Sequence, residues 1–112
     1  MSYLIFKPAL EKIEKIDNLV AAYREAYNKT TTNESVKDCF QWLAAVEECA
    51  AKERTLKTAI TNFAKFLGYE IKLEYDYMER RIELYERMKI RVTRMMEQLH
   101  EDDYYYSELK AI

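Results

Sequence analysis

Ile60-Thr61-Asn62-Phe63-Ala64-Lys65-Phe66-Leu67-Gly68-Tyr69-Glu70-Ile71 contains the only glycine of the 112-residue chain, and the fold turns on how that glycine is used. Upstream of it, Trp42, Val46, Cys49, Leu56, Ile60, Phe63 and Leu67 recur at steps of three, four and once seven, with Glu53 the one interruption. That period puts them on one helical face, with Cys39, Leu43 and Ala64 alongside. Downstream, Ile71, Tyr75, Met78, Ile82, Tyr85, Met88, Val92, Met96 and Leu99 form a second stripe. As a left-handed C-cap, with Lys65 in the last turn, Gly68 reverses the chain between two helices. An interior glycine costs a helix only about 1 kcal/mol, so the alternative is that helices 2 and 3 merge into one long helix, its stripe covered in a dimer. Helices of that length are scarce in small domains, and the hairpin is the expectation adopted.

The spacing predicts a first helix over about 8–28, with Pro8 at a position where its missing N–H is harmless. Its apolar face is Leu10, Ile13, Ile16, Val20, Tyr23 and Tyr27. Lys29 to Asn33 reads as a loop, and Thr31 with Glu34 resembles a capping box opening the second helix, over about 34–67. The third spans about 69–101, fraying near Glu101-Asp102-Asp103 into a polar, tyrosine-rich end at 102–112. Gly68 and Pro8 are single occurrences, and a β-rich fold needs turn residues far more often. The expectation is a single all-α domain over 1–112, an antiparallel bundle of three long helices.

Composition narrows the function classes. The net charge of −2 creates no global field for nucleic acid or an anionic membrane. No apolar run approaches the roughly 20 residues of a membrane span, and Lys7-Pro8 cut short the apolar opening that a secretory signal would extend. Cys39 and Cys49 on one helix are separated by about 15 Å of rise, too far to bridge. They read as core-side packing residues, and free thiols fit a reducing, cytoplasmic compartment. Glu97-Gln98-Leu99-His100 has the Glu-x-x-His step of di-iron bundles, but His100 is the single histidine and the motif occurs once. With no phosphate-binding glycine loop, no zinc spacing and no nucleophile constellation, neither enzymatic activity, a metal site nor a cofactor is expected.

The surface carries more information than the core. Between Arg80 and Arg94 lie six basic residues and two acids, a local charge of +4 in an acidic chain. At 100° per residue, Arg80, Arg87, Arg91 and Arg94 fall on one ridge, extended by Gln98 and flanked by Tyr77. Asp76 and Glu83 precede Arg80 and Arg87 by four, the favourable order for intrahelical pairs, and Glu53 precedes Lys57 likewise. The end of the chain is acidic and carries Tyr104, Tyr105 and Tyr106. Of the ten tyrosines, Tyr23, Tyr27, Tyr75 and Tyr85 sit at core spacings. Tyrosine and arginine together are the composition of interface hot spots.

The expected function is therefore a non-enzymatic protein-protein interaction module. It would be an adaptor, an assembly subunit or a small inhibitor of the kind phages and mobile elements encode, itself able to dimerise. The partner-binding residues are Tyr77, Arg80, Arg87, Arg91, Arg94, Gln98, Tyr104, Tyr105 and Tyr106. The alternative partner is nucleic acid, its phosphates tracked by the same arginines and a base stacked on Tyr77.

Overall fold

Gly68 adopts φ +84°, and a Cβ there would meet no atom within 4 Å. The backbone angle, not space, calls for glycine. The Tyr69 N–H donates to the Ala64 carbonyl at 2.8 Å, and the Gly68 N–H to the Lys65 carbonyl at 3.0 Å. These are the two bonds of a Schellman cap. The helix ends there, and the merged-helix alternative is excluded.

The structure is a computed structural model that describes residues 6–31 and 39–111, with side chains described over 7–31 and 39–98. Three helices, α1 (Phe6–Thr31), α2 (Cys39–Phe66) and α3 (Met78–Ala111), form an all-α bundle, with no strand among the described residues. Helix α1 runs one turn past the expected end. The Thr30 and Thr31 hydroxyls donate to the carbonyls of Tyr27 (2.6 Å) and Asn28 (3.3 Å), satisfying acceptors of the last turn. Thr31 thus belongs to α1. The expected start of the second helix at 34 falls within 32–38, outside the described residues.

The third helix begins nine residues later than its spacing suggested. Tyr69-Glu70-Ile71-Lys72-Leu73-Glu74-Tyr75-Asp76-Tyr77 alternates apolar and polar, the period of an extended chain rather than a helix. Ile71 and Leu73 are half-buried, whereas Glu70, Lys72 and Glu74 are exposed. Tyr75, assigned to the core by its spacing, is 67 % exposed. The Tyr77 carbonyl then accepts from the Arg80 and Arg81 N–H groups at 3.0 and 3.2 Å, which opens α3. No glycine or proline follows, and α3 continues through 102–111 instead of fraying there.

This extended return sets the direction of every element. Lys29 meets Glu48 and Lys12 lies over Phe66, so α1 and α2 are antiparallel. Lys57 pairs with Asp76, Thr61 with Arg81, and Phe63 with Tyr85, in the same order along both chains. Helix α3 therefore runs parallel to α2 and antiparallel to α1, with Arg24 beside Glu79 and Asp17 beside Lys89. The expected antiparallel hairpin of α2 and α3 is corrected: the chain turns at Gly68 and again before Met78, so the return segment, not α3, runs antiparallel to α2.

The shared core joins Ile13, Ile16 and Val20 of α1, Leu56, Ile60 and Phe63 of α2, and Met78, Ile82, Tyr85, Met88 and Val92 of α3. Tyr85 is its centre, 0 % exposed, its ring edge-on to Phe63 at 5.8 Å. Its hydroxyl donates to the Asp17 carboxylate at 2.7 Å and lies 3.1 Å from the Ile13 carbonyl, while Lys89 Nζ donates to the other Asp17 oxygen at 2.8 Å. Burial first, then the Asp17 carboxylate, pushes the Tyr85 phenol far above its ordinary range. The bond to Asp17 holds the Lys89 ammonium above its own.

The molecule is long, 72 × 27 × 18 Å, with a radius of gyration of 19.3 Å against about 13 Å for a compact chain of this length. All three helices overlap only in the middle. Among the described residues of α2, none upstream of Leu56 is fully buried; Trp42 is 42 % and Phe40 83 % exposed. The expected core placement of Trp42, Tyr27 and Cys39 is corrected for one reason: α3 starts level with Arg24 and Lys57, so among the described residues no third helix covers them.

Candidate protein-binding surface

Arg80, Arg87, Arg91 and Arg94 are all exposed on α3, as is Gln98. Their charge is more engaged than the sequence suggested. Arg80 and Arg87 both face Glu83, at 4.0 and 3.3 Å. The expected Glu83–Arg87 pair forms, but the Asp76–Arg80 pair does not, because Asp76 precedes the helix. Asp76 is instead held by Arg81, whose Nε and Nη2 donate to its two oxygens at 2.5 and 2.7 Å. Those bonds, with the charges of Arg81 and Lys57, hold the Asp76 carboxyl below the usual carboxylate range. Lys57 accordingly faces Asp76 at 3.8 Å, not the expected Glu53.

Arg81 also donates to the Thr61 hydroxyl at 2.9 Å. It stitches the return segment and α3 to α2, and its side chain is only 12 % exposed. Arg81 and Lys89, two of the six cations counted in the basic segment, are thus paired with acids outside it, Asp76 and Asp17.

The return segment adds what the sequence reading lacked. Tyr69, Glu70 and Ile71 lie across from Leu84, Arg87, Met88 and Arg91, enclosing an open groove of about 270 Å³. The Arg91 guanidinium sits 5.6 Å from the centre of the Tyr69 ring, a cation–π contact that fixes one wall. Ile71, Leu84 and Met88 supply an apolar floor, and Arg87 a cation on the rim. Of the expected site residues, the fold brings Arg87 and Arg91 together in this groove. Tyr77, Arg80, Arg94 and Gln98 are exposed outside its lining. Positions 104–106 belong to α3, about 20 Å beyond Arg91 along the helix, so they are not part of the groove; their side chains, like that of His100, lie outside those described.

Tyr69, Ile71, Leu84 and Met88 were missed as site residues. The alternation of 69–77 was the signal that could have found them, since an extended strand beside α3 puts Tyr69 and Ile71 against it.

Comparison of the chain with protein-family models, with curated proteins and with solved structures finds no match. Among the described residues, no helix is long and apolar enough to cross a membrane.

Proposed function

We propose that this chain is a non-enzymatic protein-binding module, and that its contact surface is the groove between the return segment and α3. Its occupant is an acidic, partly apolar segment of another protein. The observation that carries this reading is the pairing of an apolar floor (Ile71, Leu84, Met88) with Arg87 and Arg91 at the edge. Such a groove desolvates an aromatic or aliphatic anchor while its rim arginines take a carboxylate, the combination that dominates interface energies. Nucleic acid is the weaker alternative. The groove's apolar floor offers nothing to a phosphate backbone, whereas Glu83, beside Arg80 and Arg87, weakens their pull on any anion alike.

The test is fluorescence anisotropy with two sets of probes. One is a labelled peptide alternating Glu with Phe and Leu; the other is labelled single- and double-stranded DNA, all at low and moderate salt. The expected result is peptide binding that persists as salt rises and is lost in the Arg87→Glu, Arg91→Glu variant. DNA binding that collapses steeply with salt and disappears in the same variant would replace the reading with the nucleic-acid one. Peptide binding untouched by the variant would remove the groove from consideration.

A further inference from the structure

Between two helices that satisfy their own backbone, the return segment leaves its backbone open. The α2 cap closes with the Tyr69 N–H on the Ala64 carbonyl, and α3 opens on the Tyr77 carbonyl. Among the described residues, no N–H from Glu70 to Tyr75 donates a hydrogen bond, and no carbonyl from Tyr69 to Asp76 accepts one. The segment is drawn out along α3. Tyr69 lies at Arg91 and Asp76 at Arg81, so seven residues cover roughly the 15 Å that ten take in a helix. A bend at Glu74 and Tyr75 takes up the remaining slack. Alternation turns Ile71 and Leu73 inward, both half-buried, and leaves Glu70, Lys72 and Glu74 outward and exposed. An alternating stretch with a bare backbone edge is a template for another strand.

The groove beside it limits what can pair there. Its volume is about 270 Å³, and its α3 wall from Leu84 to Arg91 is about 10 Å long. A helix is itself about 10 Å across and would rest on the rim. Three or four residues of extended chain span the same length at about 3.3 Å each. Side chains two apart on one face of such a strand meet the apolar floor (Ile71, Leu84, Met88) and the arginines Arg87 and Arg91 in turn. Glu70, the one carboxylate in the lining, faces Lys72 at 3.8 Å.

We infer that the acidic, partly apolar segment of the partner binds as an added β-strand, its backbone paired with residues 70–74 and its alternate side chains in the groove. This rests on the groove being the contact surface, and it adds the conformation of the partner and the origin of the affinity. Main-chain hydrogen bonds hold the strand, and the groove selects its sequence.

The test uses the full chain and the labelled peptide alternating Glu with Phe and Leu, remade with one backbone N-methyl group at each position in turn. N-methylation removes a single main-chain donor and keeps every side chain. Successive N–H groups of a strand point to opposite edges, so pairing along one edge uses every second one. The expected result is a loss of affinity of about tenfold or more at alternate positions, and of less than about twofold between them. Amide hydrogen exchange followed by NMR reads the other side of the ladder. Alternate residues among 70–74 should slow by about tenfold or more when the peptide is bound. Losses without alternation, or exchange at 70–74 that bound peptide leaves unchanged, would overturn the added strand and leave the groove as the contact surface. A chain that binds no peptide of the series overturns both.

Discussion

Replacing Tyr85 by Phe removes one oxygen from the centre of the bundle and nothing else. The ring keeps its burial and its edge contact with Phe63, so no cavity term enters. What is lost is the bond from the Tyr85 hydroxyl to Asp17 at 2.7 Å. A hydrogen bond to a charged group is worth roughly 1.5–3 kcal/mol net. The lower end applies, because the Asp17 side chain is partly exposed and keeps Lys89 at 2.8 Å. The Ile13 carbonyl keeps its place in the α1 ladder. The expected cost is about 1.5 kcal/mol, or a Tm lower by about 6 °C for a domain of this size.

Urea unfolding followed by circular dichroism at one fixed protein concentration measures this; fixing the concentration keeps any association out of the comparison. The slope m should not change, since the same surface is exposed on unfolding. A double-mutant cycle with Asp17→Ala should return a coupling of about 1 kcal/mol. A loss under about 0.3 kcal/mol, or a coupling of zero, would mean that the hydroxyl does not tie α3 to α1.

Gly68→Ala should destabilise by about 1 kcal/mol, because φ +84° is costly for any residue with a Cβ even with open space around it; Gly68→Asn should cost less, and equal stability of all three chains would contradict the Schellman reversal. Phe63→Ala, at a site 1 % exposed, should cost about 3–5 kcal/mol, read as the shift in urea midpoint; a cost under about 1 kcal/mol would place Phe63 outside the core. Since the Asp76 carboxyl is held low by Arg81, its contribution is complete above the unfolded carboxylate value near pH 4. It is lost as pH falls through the lower folded value. Asp76→Asn should therefore flatten part of the acid limb of stability against pH, and an unchanged limb would show that the pair carries no linkage.

Which residues form each helical face is a local matter, set by a period of three to four along the chain, and it was legible over the middle of the bundle, though Leu10, Tyr27, Trp42 and Tyr75 are exposed. Ile13, Ile16, Val20, Ile60, Phe63, Ile82 and Tyr85 are where that period puts them. The end of α2 at Gly68 was legible for the same reason, since a left-handed backbone angle closing a helical pattern is a local property; the hairpin expected from it was not, because α3 runs parallel to α2. The segment 69–77 carried two competing periods. Ile71, Tyr75 and Met78 fit a helix, and the strict alternation from Tyr69 to Tyr77 fits an extended chain. Only packing resolved them, since the chain must travel back along α2 before α3 can begin level with Lys57.

That offset is the decision the tertiary structure made. It moved Asp76 off the helix and onto Arg81, drew Arg91 over Tyr69, and built the groove from residues far apart in the chain. It also left Trp42 partly exposed at one end of the bundle. Periodicity states which side of a helix is apolar; how much of that side is covered depends on the axial register between helices. That register is fixed by the length and conformation of the connections and by contacts such as Tyr85 with Asp17, which no single helix contains.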